Sequence, residues 1–420
     1  MPEFSFIHTA DLHLDSPFAT LNPDNPDLAD ILRSATFDAF ERIIQICLER
    51  KVDFLLVAGD IYDGADRSLR AQVRFRDGLK RLGSAGIQAY VVHGNHDPLD
   101  GWSSTLEWPS NVHIFGDHVE TLEARRNKDL LARIQGISYP KREERRNLSL
   151  LFERTGPAFH IGLLHANVGS DTGHEPYAPC KLEDLLKPDI DYWALGHVHS
   201  AKILSQNHPL VVYPGNTQGR NIRETGEKGC YLVTVREDRD VEFEFLATDV
   251  VRWKKVDFPI RNLETEQELI TALEQLCLEL SENEAERPVI ARITLSGHGP
   301  LYKSLRRPDA ISDLMEILSE TSMSRSPFVW VEQIHLRAGP KIDPEKRMKE
   351  KDFLGDLLRL SRDISNAGDF KEMMREDLAL LFEDARARRF VDFPETESLK
   401  DLLRQAERIC MESLSRGEGE

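Results

Sequence analysis

The sequence predicts an α/β fold, and two observations support that prediction. Over residues 1–250, apolar runs of strand length alternate with amphipathic helical patterns, as they do in α/β proteins. Several of these runs end directly at His, Asp or Asn residues. Loops converge at the strand ends of an α/β sheet, so these polar residues are expected to form a site there.

The first predicted domain spans residues 1–250. Its buried strands are predicted at Phe4–Thr9, Phe54–Ala58, Gln88–Val92, His160–Leu164 and Tyr192–Leu195. Its helices are predicted at Thr36–Lys51, with the apolar residues on one face, and at Ser68–Leu82. A glycine stands just before the polar residues at three strand ends, where a sharp turn leaves little room: Gly59, Gly94 and Gly196.

Two further regions follow. Residues 251–340 are predicted to form a small α/β domain, with strands at Trp253–Pro259, Val289–Ser296 and Phe328–Arg337. Its helices are predicted at Leu263–Glu279 and Ile311–Ser319, with an acidic loop at Ser281–Pro288. In residues 341–420 the strand patterns stop, and charged, leucine-rich helices are predicted at Lys346–Leu360, Phe370–Arg389 and Ser398–Leu414.

Composition limits the class of protein. A chain of 420 residues exceeds one ordinary core, which agrees with two or three domains. No apolar run approaches the roughly 18 residues that a transmembrane helix requires, and the first residues lack the features of a signal peptide. The five cysteines are far apart and form no Cys-x-x-Cys pair, so we expect a protein of a reduced, cytoplasmic compartment. Because the apolar runs are short, we also expect no membrane segment.

The formal net charge of −18 argues against extended binding of nucleic acid by the protein's own surface, since such proteins usually carry a basic footprint. Three interpretations stay open. DNA is contacted through local basic strips and bound metal ions, a partner protein supplies much of the contact, or the substrate is not DNA.

Five short segments carry the residue types of a two-metal phosphoesterase centre. They are Asp11-Leu-His13, Gly59-Asp-Ile-Tyr-Asp63, Gly94-Asn-His-Asp97, His165 with its neighbours, and Gly196-His-Val-His199. Two metal ions about 3.5–4 Å apart polarise a phosphate and stabilise both the attacking and the leaving oxygen. One such segment alone is more often a turn or a satisfied polar cluster, but five in order at strand ends indicate hydrolysis of a phosphate ester.

The predicted metal ligands form two groups with one shared member. Those of the first ion are Asp11, His13 and His199, and those of the second are Asn95, His165 and His197. Asp60 is predicted to bridge the two ions, because a carboxylate can give one oxygen to each. Mixed His, Asp and Asn coordination suits Mn²⁺, Fe²⁺ or Zn²⁺ better than Ca²⁺, and of these we favour Mn²⁺.

His96 directly follows a ligand, so its ring is expected to point toward the substrate and away from the ions. As an imidazolium it could stabilise developing charge and protonate the leaving alkoxide, oriented by Asp97 or by a backbone carbonyl. His8, His93 and His160 lie within or beside strand patterns and are interpreted as core or supporting residues. The remaining histidines are given no role.

With these segments the chain closely resembles the calcineurin-like metallophosphoesterase superfamily, whose D-x-H, G-D-x-x-D, G-N-H-D/E, H and G-H-x-H blocks they match. The opening His8–His13 and the later Tyr213–Asn216 are similar to SbcD-type DNA repair nucleases, and the extended His8–Phe18 resembles their bacterial YhaO-like branch. The resemblance implies a two-sheet sandwich flanked by helices, followed by an α/β capping domain and a helical partner-binding region.

The resemblance also implies an activity, partners and residue roles. It implies a manganese-dependent 3′ to 5′ exonuclease that acts at DNA ends in repair, with a coiled-coil ATPase of the SbcC type, called YhaN in the YhaO-like branch. Asp63 departs from the family pattern, because archaeal and eukaryotic relatives carry a His at this position. Any help that this His gives to catalysis is absent here, and Asp63 is expected only to position its loop. The family roles map onto Asp11, His13, Asp60, Asn95, His96, His165, His197 and His199.

Three strips of cations are candidates for contact with DNA phosphates, which would position DNA without reading its sequence. The strip nearest the predicted site is Arg220, Arg223 and Lys228. Another strip, in the second predicted domain, is Lys303, Arg306 and Arg307. The remaining strip shares one helix face, which is a solvated face, a DNA contact or part of a homodimer interface: Arg67, Arg70, Arg74 and Arg81.

Other functions compete with the nuclease hypothesis. A phosphatase or small-molecule phosphodiesterase is favoured by the acidic charge and disfavoured by the two further domains. A non-enzymatic scaffold is disfavoured by a complete ligand set beside a His that holds no metal. The C-terminal helices either pack into a small bundle of their own or dock on a partner's coiled coil.

Overall fold

A computed structural model describes most of the chain, which packs into two units. The described residues are 1–16, 18, 26–64, 67–101, 106–169, 177–284, 287–323, 325–340, 344–378, 382 and 393–414. The first unit comprises Met1–Lys255, Glu279–Ala291 and Arg325–Glu332, and the second comprises Val256–Leu278, Arg292–Ser324 and Gln333–Glu420. The small α/β domain and the helical region of the prediction thus share most of the second unit.

The strands of the first unit form two mixed sheets. In chain order they are β1 (Phe4–Thr9), β2 (Phe54–Ala58), β3 (Gln88–Val92), β4 (Val112–Ile114), β5 (Glu120–Arg126), β6 (Asp129–Ile137), β7 (Phe159–His165), β8 (Tyr192–Gly196), β9 (Lys202–Ser205), β10 (Leu210–Tyr213), β11 (Gly229–Val235) and β12 (Val241–Ala247). The strand orders are β12-β11-β1-β2-β3-β4 and β5-β6-β7-β8-β10-β9. Strands β1 to β4 run parallel, as do β6, β7, β8 and β10.

The two sheets pack face to face around an aromatic core. Phe6 in β1 stacks on Phe54 in β2 with ring centroids 5.0 Å apart, and it meets Tyr192 of the second sheet edge-on at 5.3 Å. All three side chains are buried. Aromatic pairs of this kind each contribute about 0.5–1.5 kcal/mol beyond the burial of their area.

Helices cover the outer faces of the sandwich. Helices α1 (Pro26–Arg50) and α2 (Leu69–Ser84) pack on the first sheet, while α3 (Leu182–Leu186) and the 3₁₀ helix Leu148–Leu151 pack on the second. The Ser68 side chain caps α2 by accepting the backbone N–H of Ala71 at 3.0 Å. The expected two-sheet sandwich flanked by helices is therefore confirmed.

A three-stranded sheet and further helices complete the chain. The strands are β13 (Arg252–Pro259), β14 (Val289–Gly299) and β15 (Val329–Pro340), in that order across the sheet. The helices are α4 (Glu266–Asn283), α5 (Tyr302–Leu305), α6 (Ala310–Ser322), α7 (Pro344–Arg347), α8 (Phe353–Asn366), α9 (Phe370–Asp377) and α10 (Thr396–Leu414). None of the described helices combines the length and apolar character needed to cross a membrane. The five cysteines all lie among the described residues, and none of them forms a disulfide.

Among the helices predicted beyond residue 250, three differ markedly from the structure. Helix α4 continues to Asn283, inside the predicted acidic loop, and Glu284 beyond it is buried. The predicted helix Lys346–Leu360 is interrupted, because the Asp352 side chain accepts the Gly355 N–H at 2.8 Å and starts a new helix there. The predicted helix Phe370–Arg389 ends at Asp377; beyond Leu378 only Phe382 of it lies among the described residues.

Candidate metal centre

The polar segments come together where parallel strands of both sheets end. Asp11 and His13 follow β1, and Asp60 follows β2. Their backbones adopt positive φ angles of 51°, 44° and 50°, which are uncommon outside glycine and cluster at functional sites. The N–H of Asp11 donates to the Gly59 carbonyl and that of His13 to the Asp60 carbonyl, both at 3.0 Å. These bonds fix the two turns side by side.

Two glycines at strand ends are required by different constraints. Gly59 has a φ of +87°, and a Cβ there would lie 2.4 Å from Nδ1 of His165. At Gly196 the limit is the approach of two strands, because a Cβ would lie 1.8 Å from the Ala58 carbonyl oxygen. A sharp turn is the predicted reason for glycine at both positions, and close contact with a backbone carbonyl or with a predicted ligand is an additional reason.

The first predicted group is brought together by the structure. Nε2 of His13 lies 3.2 Å from Nε2 of His199, and ligand atoms of both residues lie within 4.8 Å of a carboxylate oxygen of Asp11. The Asp11 carboxylate is itself fixed, since both of its oxygens accept the backbone N–H of His197 at 3.1 Å. Asp11 and His13 are fully buried, and His199 is partly buried.

The second predicted group is also assembled. Nε2 of His165 lies 3.0 Å from Oδ1 of Asn95, and Nδ1 of His197 lies 3.2 Å from the same oxygen. All three residues are buried. Asn95 arrives from β3, whereas His165 and His197 arrive from β7 and β8, so this group joins the two sheets.

Asp60 lies between the groups, and one of its oxygens faces both. Oδ2 is 3.4 Å from Nε2 of His165 and 4.0 Å from Nε2 of His13. Oδ1 accepts the backbone N–H of His96 at 2.9 Å. The structure thus presents Oδ2 to both groups, where the sequence analysis predicts one oxygen for each ion.

The donor set fits divalent cations. Nδ1 of His165 lies 2.9 Å from the Ala58 carbonyl, and Nδ1 of His199 lies 2.6 Å from a Glu224 oxygen. Both partners only accept, so the ring hydrogens are on Nδ1 and the Nε2 lone pairs point inward. Lone pairs and carboxylate oxygens that converge in a buried space repel one another unless a cation lies among them. Imidazole with oxygen ligands suits borderline divalent ions, and the site offers two sets.

Burial sets the electrostatics of these ligands. Burial raises the pKa of Asp11 well above its ordinary value, and the neighbouring Asp60 carboxylate raises it further. Burial and the nearby Arg220 guanidinium hold the pKa of His13 well below its ordinary value. Burial is the largest cause of both shifts, because a buried space disfavours the charged form of either side chain.

The structure decides which group orients His96. Nδ1 of His96 lies 3.4 Å from the Asp63 backbone carbonyl, and about a third of the His96 side chain is exposed. Asp97 is occupied elsewhere, since its carboxylate accepts the N–H groups of Ile61 and Gly94 and lies 3.1 Å from His93. Of the two predicted partners of His96, a backbone carbonyl and Asp97, the structure has the backbone carbonyl. This contact leaves Nε2 on the opposite edge of the ring.

The three histidines that the sequence places in the core or in a supporting role, His8, His93 and His160, make contacts of that kind. His8 lies between the Tyr192 hydroxyl at 3.0 Å and the Leu195 carbonyl at 3.2 Å, and burial lowers its pKa to about 3. His93 braces Asp97, and His160 accepts the backbone N–H of Thr155 at 3.0 Å.

The cations predicted to contact DNA have different fates. The Arg220 guanidinium binds Oδ1 of Asp63 at 2.7 Å, and the Lys228 ammonium is buried and donates to the His199 carbonyl at 2.8 Å. Arg223 is exposed. Arg67 precedes the Ser68 cap, so it is not on α2; it is buried and donates to the Asp97 carbonyl at 2.7 Å.

The other arginines of that strip lie on α2 and also have partners. Arg70 lies 3.7 Å from Asp15 and over the Phe37 ring. Arg74 lies over the same ring, and Arg81 pairs with Glu41. They do not form a continuous row of unpaired charges.

Glu224 is a functional candidate that sequence reasoning missed. Its carboxylate lies 2.6 Å from Nδ1 of the ligand His199. Burial raises the pKa of Glu224, but the contacts with His199 and Arg220 lower that pKa by a larger amount. The net effect is a pKa lowered to about 2. Metal-binding histidines usually have such a partner, yet nothing in the sequence distinguishes Glu224 among the 72 acidic residues.

Comparisons with known families agree with this geometry. The family described as calcineurin-like phosphoesterase matches residues 4–201, which contain all the predicted ligands. A second family, described as the middle domain of the metallophosphoesterase YhaO, matches residues 253–339.

Individual relatives extend over different shares of the chain. An uncharacterized metallophosphoesterase, YhaO of Bacillus subtilis, is 35% identical over 99% of this chain and 98% of its own length. The DNA double-strand break repair protein Mre11 of Methanocaldococcus jannaschii is 28% identical over 54% of this chain and 62% of that protein. The double-strand break repair protein mre-11 of Caenorhabditis elegans is 23% identical over 47% of this chain and 36% of that protein. The chain therefore belongs to the calcineurin-like metallophosphoesterase family, in its YhaO branch, and is a hydrolase of phosphate esters with a metal site.

Proposed function

We propose that this protein is a manganese-dependent exonuclease that hydrolyses phosphodiester bonds at DNA ends in the 3′ to 5′ direction. The observation that carries the proposal is two groups of converging ligands, joined by Asp60, beside a partly exposed His96 whose backbone N–H is bound to that carboxylate. DNA as substrate is supported by the similarity to proteins named for the repair of DNA double-strand breaks.

The residues around the ligands suit an in-line displacement at phosphorus. Divalent ions bound by the two groups would polarise the phosphate and lower the pKa of water. Asp60 keeps the groups in register through Oδ2, while its Oδ1 fixes the backbone of His96. With Nδ1 directed at the Asp63 carbonyl, His96 presents Nε2 to the substrate and donates a proton to the departing sugar oxygen.

A partner protein would supply what this surface lacks. Arg223 is the exposed member of the cation strip nearest the site, so few contacts to DNA phosphate are available there. We propose a coiled-coil ATPase of the SbcC type, YhaN-like, as the partner in cytoplasmic DNA repair. Helices α8 and α10 support this proposal. They bury Leu354 and Leu358 against Met411, and they expose Phe353 and Leu360.

A phosphatase or small-molecule phosphodiesterase is the second candidate. The specific observation in its favour is that Arg220 and Lys228 are bound to groups of the protein itself, which leaves less positive charge for a polyanion. A nuclease releases mononucleotides from duplex DNA, whereas a phosphatase releases phosphate from simple monoesters. Both products are measured with the same protein and Mn²⁺. Phosphate release without mononucleotides would reject the nuclease proposal.

A further inference from the structure

A layer of charged side chains lies directly behind the imidazoles of the first ligand group. It consists of Asp63, Arg220 and Glu224, all in the first unit. Asp63 and Glu224 each contact one ligand imidazole, and Arg220 contacts both carboxylates. The metal-ligand assignment does not include these three residues.

Glu224 is held with one of its carboxylate oxygens directed at His199. One of its oxygens accepts the backbone N–H of Arg220 at 2.7 Å and the side-chain N–H of Asn216 at 3.1 Å. The other oxygen lies 2.6 Å from Nδ1 of His199. A buried carboxylate is costly unless it is paired, and Glu224 has four hydrogen-bonding or charged contacts. Asn216, the last residue of the Tyr213–Asn216 motif, supplies one of them.

Asp63 takes the same position toward His13. Its Oδ1 lies 3.0 Å from Nδ1 of His13, at an angle that falls short of a regular hydrogen bond. Its Oδ2 accepts the Ser16 hydroxyl at 2.9 Å. Nε2 on the opposite side of the same ring lies in the first group, 3.2 Å from Nε2 of His199.

Arg220 joins the two carboxylates. Its Nη1 lies 2.7 Å from Asp63 and 2.9 Å from the Ser16 hydroxyl, and its Nη2 lies 3.7 Å from Glu224. A guanidinium is a planar fork that suits such double contacts. Asp63, with His13 and His96, has the spacing of a third cation site. The Arg220 cation already neutralises the Asp63 oxygen there, so a third ion is not needed.

The loop that carries Arg220 and Glu224 is itself anchored. The Gln218 side chain donates to the Val251 carbonyl at 2.7 Å and accepts the Val250 N–H at 2.8 Å. The indole of Trp253 donates to the Gly219 carbonyl at 3.0 Å. These hydrogen bonds fix the loop and, with it, the backbone positions of Arg220 and Glu224.

We propose that Asp63, Arg220 and Glu224 form a positioning network that fixes His13 and His199 to hold the ion of the first group. The inference rests on the proposed two-metal function. In this network Asp63 has a specific task, at a position where relatives are expected to carry a His. Asp63 acts through the imidazole of a predicted ligand and not on the substrate. Partners of this kind typically change metal affinity about 10–100-fold when they are removed.

The test measures Mn²⁺ binding by calorimetry in the full-length protein without substrate. Wild type and the surface control Glu143→Gln should bind two ions alike. Glu224→Gln and Asp63→Asn should each weaken one ion about 10–100-fold and leave the other unchanged. In a His165→Ala background, which removes a ligand of the second group, Glu224→Gln should still weaken the remaining ion. In a His199→Ala background it should have no further effect.

Several results would overturn the network. Two ions bound at wild-type affinity in both carboxamide variants would do so, as would weakening of the second group's ion. Melting temperatures in EDTA check folding. They should match wild type, and the rise caused by Mn²⁺ should be smaller in the variants. A large loss in EDTA would make the network structural. If wild type binds fewer than two ions, the two-metal function itself fails instead.

Discussion

His96 is the residue that we propose to act on the substrate. Its backbone is fixed by Asp60 and its ring by the Asp63 carbonyl, so the imidazole is oriented without being enclosed. The ring lies edge-on to His13 with centroids 5.0 Å apart, close to the ligands yet outside the two converging sets.

Replacing His96 by alanine should separate chemistry from metal binding. We expect hydrolysis to fall about 10²–10⁴-fold, the usual contribution of a general acid, while two Mn²⁺ ions stay bound. Rates and elemental analysis of the same samples check this. The exposed His118, replaced by alanine, is the control. Loss of metal in the His96 variant would show that His96 is a ligand, and an unchanged rate would show that it is not used.

At the residue scale, the sequence brings forward the predicted ligands but not the residues that contact them from behind. The predicted ligands lie in short blocks at strand ends, so the local pattern is enough to propose them, and the structure brings them together. Glu224 and Arg220 are different, because their roles depend on contacts across 25 and 157 residues of chain, respectively. The sequence predicts that Arg220 and Lys228 contact DNA, and only the folded chain shows that Asp63 binds Arg220 and the His199 carbonyl binds Lys228.

At the element scale, Glu284 shows how a charged residue stabilises the start of β13. It follows α4 and pairs with Arg252 at 2.7 Å and with Lys254. Burial raises its pKa, but the two cations lower it below the ordinary value overall. A carboxyl group with a lowered folded-state pKa stabilises the fold above its unfolded pKa of about 4.3, and that contribution is lost as the pH falls through the folded value.

Glu284→Gln should therefore destabilise the protein at neutral pH. We expect the free energy of unfolding to fall by about 1–3 kcal/mol at pH 7, because Arg252 is left buried with one partner fewer. The gap to wild type should narrow below pH 4. Urea unfolding at both pH values measures it. The exposed Glu282, replaced by glutamine, should have no effect; a gap that widens in acid would contradict the assignment.

The C-terminal helices allow a second test at this scale. Truncation after Pro340 removes α7 to α10, which carry no predicted metal ligand. We expect loss of binding to the ATPase partner, with Mn²⁺-dependent hydrolysis of a small phosphodiester retained. A pull-down and a colorimetric rate measure the two properties. Loss of both together would show that these helices are structural.

Most elements could be predicted, and the failures have local causes. Strands β1, β2 and β3 match the prediction at both ends, because apolar runs bounded by polar turns mark buried strands clearly. The sequence does not reveal the interruption before α8, because Asp352 fits the helical pattern and only the folded chain shows its capping bond. Helix α1 begins at Pro26, ten residues before the predicted start, where the apolar pattern is weak.

At the scale of the whole molecule, charge and substrate have to be reconciled. The net charge of −18 is unusual for a protein that binds DNA unaided. Bound divalent ions would offset part of the charge at the centre, and a partner would supply further contacts. The similarity to Mre11 covers about half of this chain, and the similarity to YhaO covers 99% of it.

Digestion of end-labelled duplex DNA by the full-length protein tests the central claim most directly. Wild type with Mn²⁺ should release mononucleotides, and it should release none in EDTA. Asp60→Ala should release none under either condition, because it removes the oxygen that faces both ligand groups. Digestion that persists in the Asp60 variant, or wild type that leaves DNA intact while hydrolysing a monoester, would contradict the account.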